Sequence, residues 1–444
     1  MKITRRQFVG SAATAVIVAG MKAQGRVFGA NERVRLCTIG HNGQGATHLR
    51  VILEKKAEAE YVALCDVDTD VLARGAATVK AAQGSAPRTY QDIRRALEDK
   101  EIDAVTIATP NHWHALATIW ACQAGKDVYV EKPLSHNIHE GRQVAAAAKK
   151  YGRVVQHGTQ ARANATLVRD MKLIHDGFIG PIVESRGYVY KNGNRQSIGR
   201  GRPGPLPSHL DWTLWQGPAR DREFMVQPER KKPGLHVHYD WHWFWEYGNG
   251  EIGNQGIHEV DVACWGHNRG LPVKVYSSGG RFGWDDGGET PNTQATTFTY
   301  GDGTIVTFEV RNLGSFHEFD GGNCGNSFFG TKGFYVRGKG FFTYKDGKMS
   351  EREAIPVPAN LPAPPKGDSF TRFFNAVRAG NPQLATVSPL DAHHSCIHVH
   401  LANIAYRLGR SLEFDPKTER FADKEANRYL SRDYRKGFEV PALA

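Results

Sequence analysis

Five short apolar runs, separated by segments with helical spacing, constrain the fold of the first third of the chain more than any other feature. The runs are VRLCTIG (34–40), YVALCD (61–66), DAVTIAT (103–109), DVYVEK (127–132) and RVVQHG (153–158). The segments between them, such as HALATIWACQAG (114–125), repeat apolar residues at helical intervals. Strands that alternate with helices in this way predict a parallel sheet with helices on both faces.

Composition and charge limit the classes of partner. The chain has 444 residues, of which 40% are hydrophobic, so it can bury a sizeable core in two or three domains. Its net charge of +11 favours an anionic partner such as a nucleotide, a nucleic acid or a membrane surface. The basic residues are scattered along the chain, and we therefore expect no nucleic-acid partner. The six cysteines include no CxxC pair, which argues against a metal knuckle or a dense disulfide framework.

The first 30 residues have the pattern of a twin-arginine export signal. A paired arginine in TRRQFVG (4–10) precedes the apolar, small-residue stretch SAATAVIVAG (11–20). That stretch is too short for a membrane span, although an uncleaved anchor at the membrane interface is the alternative. We expect export to the periplasm, cleavage between residues 20 and 30, and no stable membrane insertion after processing. The twin-arginine route carries proteins that fold before export, often around a cofactor.

A glycine-rich turn, GHNGQG, follows the first predicted strand and opens a helix. Gly40 and Gly45 match the outer glycines of GxGxxG, whereas Asn42 replaces the middle glycine and is followed by Gly43. Glycines at these positions let the backbone turn sharply and bring a pyrophosphate against the amides of a helix N-terminus. Asn is the non-glycine residue that best tolerates positive φ, so the substitution is compatible with such a turn.

An acidic residue ends the second predicted strand in the sequence CDVD. Asp66 stands 21 residues after Gly45, where a carboxylate accepts both ribose hydroxyls and repels a 2′-phosphate. This position favours NAD over NADP as the cofactor. The alternative is that Asp66 only caps the helix that begins near Thr69.

Two later strand ends point to the same edge of the sheet, because ligands of such sheets bind at the carboxyl ends of the strands. PNHWH (110–114) follows the third run, and EKP (131–133) follows the fourth. We expect the cofactor to contact Thr109, Pro110, Asn111, His114, Glu131 and Lys132. His112 and His114 could instead form a metal pair, but no carboxylate or thiolate lies nearby in sequence, so no metal is expected.

The combination of GHNGQG, CDVD, ATPNHWHA, EKPLS and GNGEIGNQGIHEVD resembles the Gfo/Idh/MocA family of oxidoreductases. The resemblance covers nearly the whole chain after the signal, and EKP is its most specific element. It implies an α/β N-terminal Rossmann domain that binds NAD (33–158) and an α+β domain with a large, mostly antiparallel sheet (159–413), followed by a tail (414–444). The exposed face of that sheet often makes oligomers in the family, so we expect a dimer or tetramer. A Gly-, Pro- and Arg-rich segment between residues 191 and 234 is long enough to form a lid or an arm.

The resemblance also implies catalytic roles. Hydride transfer from a sugar hydroxyl carbon needs a base and a cation that stabilises alkoxide character. Lys132 matches the family's cation beside the nicotinamide, and His258 matches its histidine. Asn254 stands where the family usually has an aspartate, and an amide cannot take a proton. The alternatives are an ion pair between Lys132 and Glu131, and a core position for His258.

Substrate contacts are expected from three segments. HVHYDWHWFWEYGNG (236–250) is rich in aromatic residues, which favours either the wall of a sugar pocket or an oligomer interface or core. TQARAN (159–164) follows the fifth strand. Asp261 shares a helical face with His258. The predicted substrate residues are Gln160, Arg162, Trp243, Asn254 and Asp261.

These observations leave two enzymatic functions and one other open. The first is an NAD(P)-dependent oxidoreductase that acts on a hydroxyl of a sugar, polyol or glycoside. The second is an NAD-dependent glycosidase that oxidises a sugar transiently, eliminates the aglycone and returns the hydride. The third is a non-enzymatic nucleotide sensor, which has no need for Lys132 and His258 to converge. Because an exported enzyme meets no pool of free cofactor, we expect tightly bound NAD.

Overall fold

The computed structural model describes residues 32–191, 195–227, 232, 234–314, 322–344, 352–358, 361 and 366–444. The predicted export signal therefore lies outside the described residues. Within this part of the chain, no helix is both long and apolar enough to cross a bilayer.

Six parallel strands form the first sheet, in the spatial order β3-β2-β1-β4-β5-β6. They are β1 (Val34–Ile39), β2 (Ala59–Cys65), β3 (Arg88–Tyr90), β4 (Ala104–Ile107), β5 (Asp127–Val130) and β6 (Val155–His157). Every residue of β4 and β5 is buried, as expected for strands covered on both faces. The predicted parallel sheet is confirmed, and β3 is an additional edge strand that the apolar runs do not include.

Helices connect these strands and start and stop at recognisable signals. They are α1 (Gln44–Leu53), α2 (Thr69–Gln83), α3 (Ile93–Glu98), α4 (Asn111–Gln123) and α5 (Ile138–Tyr151). The Asp68 carboxylate caps α2 by accepting from the amides of Asp70 and Val71, and Gly84 ends that helix with φ +82°. Because each strand runs directly into a short connection, the connections gather at the carboxyl edge of the sheet.

Ten strands form the second sheet, in the order β16-β15-β14-β13-β7-β12-β11-β10-β17-β18. The strands of the second half of the chain are β7 (Ile182–Tyr190), β8 (Arg202–Pro203), β9 (Met225–Val226), β10 (Lys274–Gly280), β11 (Thr293–Thr299), β12 (Ile305–Arg311), β13 (Cys324–Gly330), β14 (Phe334–Val336), β15 (Gly340–Tyr344), β16 (Arg352–Ile355), β17 (Leu412–Asp415) and β18 (Arg420–Phe421). β7 and β12 pair in parallel, whereas the other pairs of this sheet are antiparallel, which confirms the predicted fold class. β8 and β9 form a separate two-stranded ribbon.

Six further α-helices lie in the described part of the chain, and two of them cover one face of the second sheet. They are α6 (Ala165–His175), α7 (Trp212–Gln216), α8 (Gly250–Asn254), α9 (Gly256–His267), α10 (Ser369–Ala379) and α11 (Pro389–Leu408). α9 packs on β7 and β13, and α11 packs on β10. α9 also carries His258 at its first turn, so the sheet supports the helix that bears a predicted catalytic residue.

Two features connect the predicted segments 33–158, 159–413 and 414–444 with one another. The boundary at 413 falls inside β17, which pairs with β10 and belongs to the second sheet. Farther upstream, α10 packs against the first sheet, where the ring of Phe370 stacks on that of Tyr129 with centroids 4.5 Å apart. Phe373 and Phe374 join the same buried cluster. The apolar face of α10 thus fastens a late segment of the chain to the Rossmann domain.

Candidate active site

A cavity of about 300 Å³ opens at the carboxyl edge of the first sheet. The predicted residues among its lining are Gly40, Asn42, Gly43, Asp66, Thr109, Pro110, Asn111, His114, Glu131, Lys132 and Asn254. All except Asn254 lie on the connections that follow β1, β2, β4 and β5 or, for Asn111 and His114, in the first turn of α4. The rule that ligands meet the carboxyl ends of parallel strands therefore brings these residues together.

The glycine turn has the backbone that a pyrophosphate requires. Its left-handed conformations fall on Gly40 (φ +74°) and Gly43 (φ +49°), so Asn42 is not asked to adopt positive φ. Gly45 does not line the cavity, but a Cβ there would lie 2.0 Å from the carbonyl oxygen of Gly40. Gly45 thus lets α1 approach β1. No side chain caps the start of α1, where the amides of Gly45 and Ala46 donate to the carbonyl oxygens of Asn42 and Gly43 at 3.0 Å and 3.1 Å, so an anion would meet the helix N-terminus ahead of these two amides.

Asp66 holds the turn and faces the cavity. Its Oδ2 accepts from the amide of His41 at 2.9 Å and its Oδ1 accepts from the amide of Asp68 at 3.1 Å. The alternative that Asp66 caps α2 is wrong, because Asp68 is the capping residue. Burial raises the pKa of Asp66 to about 6, although the two backbone hydrogen bonds oppose the rise.

Lys132 presents a cation to the same cavity. Its Nζ donates to the carbonyl oxygen of Asn254 at 2.9 Å, and in the part of the chain that the structure describes it forms no ion pair. The alternative of an ion pair with Glu131 is therefore not seen. Burial lowers the pKa of Lys132, and the nearby charge of Glu131 opposes that effect.

The Glu131 carboxylate contacts two side chains of α1 instead. One of its oxygens lies 3.0 Å from Nε2 of His48 and accepts from Nε2 of Gln44 at 3.3 Å. Burial raises the pKa of Glu131, but the hydrogen bond and charge of His48 and the charge of Lys132 outweigh burial and lower that pKa to about 2. Glu131 is thus a fixed negative charge next to Lys132.

His258 lies close enough to this pair to be influenced by it, although it does not line the cavity. Burial lowers the pKa of His258 to about 3, and the charge of Lys132 adds to the lowering while Glu131 opposes it. This value lies well below the ordinary pKa of a histidine. Beside a cation, the ring is therefore neutral and is a weak proton acceptor.

Four of the five predicted substrate residues lie away from the cavity lining. Arg162 and Asp261 pair with each other, Nη2 to Oδ1 at 2.8 Å, and Ser395 also donates to Asp261, whose side chain is fully buried. These contacts fix the loop after β6 to α9 and leave Asp261 no access to a ligand. Gln160 is exposed on that loop, and Trp243 is buried beneath the guanidinium of Arg195, 5.4 Å from its ring.

Asn254 is the predicted substrate residue that does reach the cavity. Its backbone carbonyl holds Lys132, and its side-chain amide donates to the hydroxyl of Tyr239 at 3.3 Å and to Oε1 of Glu251 at 3.4 Å. The amide is therefore oriented by two acceptors. It can hydrogen-bond a hydroxyl but cannot take its proton.

The described residues of the segment 195–247, called the arm below, supply cavity residues that the sequence patterns do not single out. Leu214, Trp215, His238, Tyr239, Trp241 and His242 line the cavity opposite the strand ends. The imidazole of His242 stacks on the ring of Trp241 with centroids 3.6 Å apart. The aromatic richness of 236–250 was the available signal, but it does not show which rings face inwards.

Several contacts fasten the arm to the Rossmann domain, and two of them involve the carboxylate of Asp68. Asp68 Oδ2 lies 3.1 Å from Nε2 of His238, and Asp68 Oδ1 lies 3.2 Å from Nδ1 of His209. The amide of Thr69 also donates to the carbonyl of His209 at 2.9 Å. The arm therefore closes over the part of the cavity that holds Asp66.

The histidine rings of α4 lie within hydrogen-bond distance of backbone carbonyl oxygens on neighbouring segments. Nε2 of His112 lies 3.0 Å from the carbonyl oxygen of Trp215, and the two ring nitrogens of His114 lie 2.6 Å and 2.8 Å from the carbonyl oxygens of Pro133 and Thr109. Burial lowers the pKa of both rings, that of His112 to about 3. The alternative of a metal pair is not supported, because these contacts join the strand ends to each other and to the arm.

The cavity residues fit a nicotinamide dinucleotide. The glycine turn offers amides to a pyrophosphate, Asp66 offers carboxylate lone pairs to a ribose, and the buried Oγ1 of Thr109 has no hydrogen-bond partner among the described residues. An unpartnered buried hydroxyl is costly unless a ligand satisfies it.

Comparison with known proteins identifies both parts of the chain. Residues 34–159 match the oxidoreductase family with an NAD-binding Rossmann fold, and residues 165–440 match the C-terminal alpha/beta domain of that family. A glycosyl hydrolase family 109 protein of Saccharopolyspora erythraea is 28% identical over 172 residues, 38% of this chain and 37% of that protein. An inositol 2-dehydrogenase of Salmonella typhimurium is 31% identical over 153 residues, 34% of this chain and 44% of that protein. The chain thus spans less than half the length of these curated relatives.

A solved structure resembles this chain in fold over most of its length, including the second sheet. The WlbA dehydrogenase from Bordetella pertussis, in complex with NADH and UDP-GlcNAcA, superimposes with a TM-score of 0.61 at 20% identity, covering 86% of this chain and 99% of that one. At this identity the likeness concerns the fold. With both family domains matched in order, and with a dinucleotide turn, an acidic ribose position and the EKP lysine on one cavity, the chain belongs to the Gfo/Idh/MocA family of NAD-binding oxidoreductases.

Proposed function

We propose that the protein is an NAD-dependent dehydrogenase that oxidises a hydroxyl of a sugar or polyol. The observation that carries the proposal is the position of Lys132, a cation without a carboxylate partner among the described residues, on the cavity that also holds the glycine turn and Asp66. An ammonium in a half-buried site without an ion pair is costly, and a reacting oxygen that gains negative charge stabilises it.

Separate roles in removing the hydroxyl proton of the substrate fall to Lys132, His258 and Asn254. Bound NAD would supply the acceptor for the hydride. Lys132 donates a hydrogen bond to the substrate oxygen and stabilises alkoxide character as the O–H bond breaks. His258, which burial and the charge of Lys132 keep neutral, is the proposed proton acceptor; as a weak base it takes the proton only as the hydride leaves, when the substrate hydroxyl becomes strongly acidic. Asn254 fixes Lys132 through its carbonyl and offers its amide to a neighbouring hydroxyl.

The test is a spectrophotometric assay of NAD reduction with a panel of uncharged substrates, including myo-inositol, scyllo-inositol and glucose, followed by identification of the ketone. We expect at least one substrate to give NADH and ketone in equal amounts. A protein that binds NAD but reduces it with none of a broad panel of sugars and polyols would contradict the proposal.

The second candidate is the glycosidase, and the likeness to glycosyl hydrolase family 109 proteins favours it. The same hydride apparatus would oxidise the sugar, assist elimination and return the hydride. Nitrophenyl glycosides in deuterated water separate the two functions. A glycosidase releases nitrophenol in large excess over bound NAD and incorporates deuterium beside the oxidised carbon, whereas a dehydrogenase does neither.

Export and assembly belong to the same proposal. We propose that the protein is exported by the twin-arginine route, holds its NAD tightly and forms a dimer or tetramer through the second sheet. The pattern TRRQFVG supports export, and the fastened arm supports slow release of the cofactor. Exposed rings on and beside β10, Tyr276 and Phe282, support an interface on that sheet. Cell fractionation and light scattering test export and oligomeric state.

A further inference from the structure

A second cavity, of about 650 Å³, lies between the C-terminal segment, the end of α11 and the arm. No described residue lines both this cavity and the first one. Its charged lining comprises five arginines, Arg220, Arg222, Arg407, Arg428 and Arg432, against three carboxylates, Glu246, Glu289 and Asp433. Two positive charges are therefore left over on its walls.

The three carboxylates are already used by three of the arginines. Arg432 pairs with Glu246. Arg222 lies 3.3 Å from Glu289, and Arg220 lies 3.5 Å from Asp433. Among the described residues, Arg407 and Arg428 form no ion pair, so the surplus charge belongs to these two.

Arg407 is held in place by aromatic rings. Its guanidinium carbon lies 5.0 Å from the ring centroid of Trp245 and 4.3 Å from that of Tyr429. Stacking against ring faces occupies the faces of the guanidinium and leaves its in-plane N–H groups free for hydrogen bonds. The side chain remains accessible to solvent. Arg407 is thus a pre-organised donor that needs little further ordering to bind an anion.

We propose that this second cavity binds a small organic anion whose phosphate or carboxylate pairs with Arg407 and Arg428. The planar fork of an arginine matches both oxyanions, and bidentate pairs of this kind are strong. A volume of about 650 Å³ accommodates a molecule of the size of a charged monosaccharide rather than a bare ion. The ligand class is therefore a sugar phosphate or a sugar acid.

Isothermal titration of the NAD-loaded, full-length protein tests the site. The probes are glucose 6-phosphate and glucuronate, with glucose as the uncharged match. The variant is Arg407→Met, and the matched control is Arg410→Met, which removes an equal charge from an exposed arginine that pairs with Asp423 and Glu425 outside the cavity. Retained NAD shows that each variant is folded.

We expect at least one of the two anions to bind the unmodified protein, and Arg407→Met to weaken that binding by about tenfold or more. The affinity for the anion should be unchanged in Arg410→Met. Any binding of glucose should be unchanged in Arg407→Met. Binding of glucose 6-phosphate alone identifies a phosphate site, and binding of glucuronate alone identifies a carboxylate site. The proposal is overturned if neither anion binds, if both variants weaken binding equally, or if Arg407→Met changes the oligomeric state instead.

Discussion

At the scale of single residues, the neighbourhood of Lys132 decides how the site responds to pH. Burial lowers the pKa of Lys132 below its ordinary value, and the same site holds the pKa of His258 at about 3. Above a pH of about 3 and below the lowered pKa of Lys132, His258 is neutral while Lys132 is charged. This is the protonation state in which one group can stabilise an oxyanion while the other takes a proton.

This state predicts the pH profile of substrate oxidation. Lys132 is charged below its pKa, so kcat/KM should fall as pH rises through a pKa lower than 10.5, while the low pKa of His258 leaves the neutral range flat. Rate measurements from pH 6 to pH 10.5 check this. Lys132→Arg should be slower but lack the alkaline fall. A rate that increases through the same pKa would instead make Lys132 the base.

Removing either group should abolish hydride transfer without unfolding the protein. We expect Lys132→Met and His258→Ala each to lower kcat/KM by about a hundredfold or more, because each removes one acid–base or charge contribution. NAD binding, followed by fluorescence, should persist. His175→Ala, at an exposed histidine of α6, is the control. If both variants fail to fold, Lys132 and His258 are structural residues.

Asp66 predicts the choice of cofactor. Its carboxylate faces the cavity and is ionised above about pH 6, so it should repel the 2′-phosphate of NADP. We expect tighter binding of NAD than of NADP at pH 8, with the difference narrowing below pH 6. Asp66→Ala should reduce the preference, as measured by titration of both cofactors. Equal affinities in the unmodified protein would contradict this role.

At the scale of elements, the sequence predicts what short-range patterns determine. β1, β2, β4, β5 and β6 fall within or overlap the five apolar runs, and the rule for carboxyl ends places residues that follow β1, β2, β4 and β5 on one cavity. The sequence pattern does not predict β3, because its three residues, RTY, do not form an apolar run. β10 and β13 are rich in Gly and Ser, KVYSSGG and CGNSFFG, and gain their strand character from pairing partners.

Contacts between residues that are far apart in the sequence limit how much of the site can be predicted from the sequence. Arg162 and Asp261 are 99 residues apart, and nothing local indicates that they neutralise each other. The inward-facing residues of the arm depend on how His209 and His238 meet Asp68. Tertiary packing determines these contacts, and a single sequence does not reveal how distant segments pack.

α10 provides a test of how the two halves of the chain hold together. Phe373 is fully buried in the cluster that joins α10 to the first sheet, so Phe373→Ala should cost about 3–5 kcal/mol of unfolding free energy. Leu390→Ala, at a side chain that is 54% exposed, should cost less than about 0.5 kcal/mol. Urea denaturation checks both. A loss below about 1 kcal/mol for Phe373→Ala would mean that α10 packs loosely.

At the scale of the whole molecule, the arm and the export pattern lead to one expectation about cofactor content. We expect protein purified without added NAD and dialysed extensively to release nicotinamide cofactor in near-equal amount when it is denatured. Asp68→Asn, which weakens the contacts with His209 and His238, should lower that content. A protein that emerges empty, and works only with excess free NAD, would be an ordinary dehydrogenase.

The fastening of the arm at Asp68 also bears on kinetics. Because His209 and His238 hold the arm over the cavity, we expect the nucleotide to stay bound between the two halves of a reaction cycle. One protein molecule must then meet a hydride donor and later a hydride acceptor in succession, with the reduced form persisting in between. Initial rates plotted in double-reciprocal form against the two substrates should therefore give parallel lines, the pattern of a substituted-enzyme mechanism.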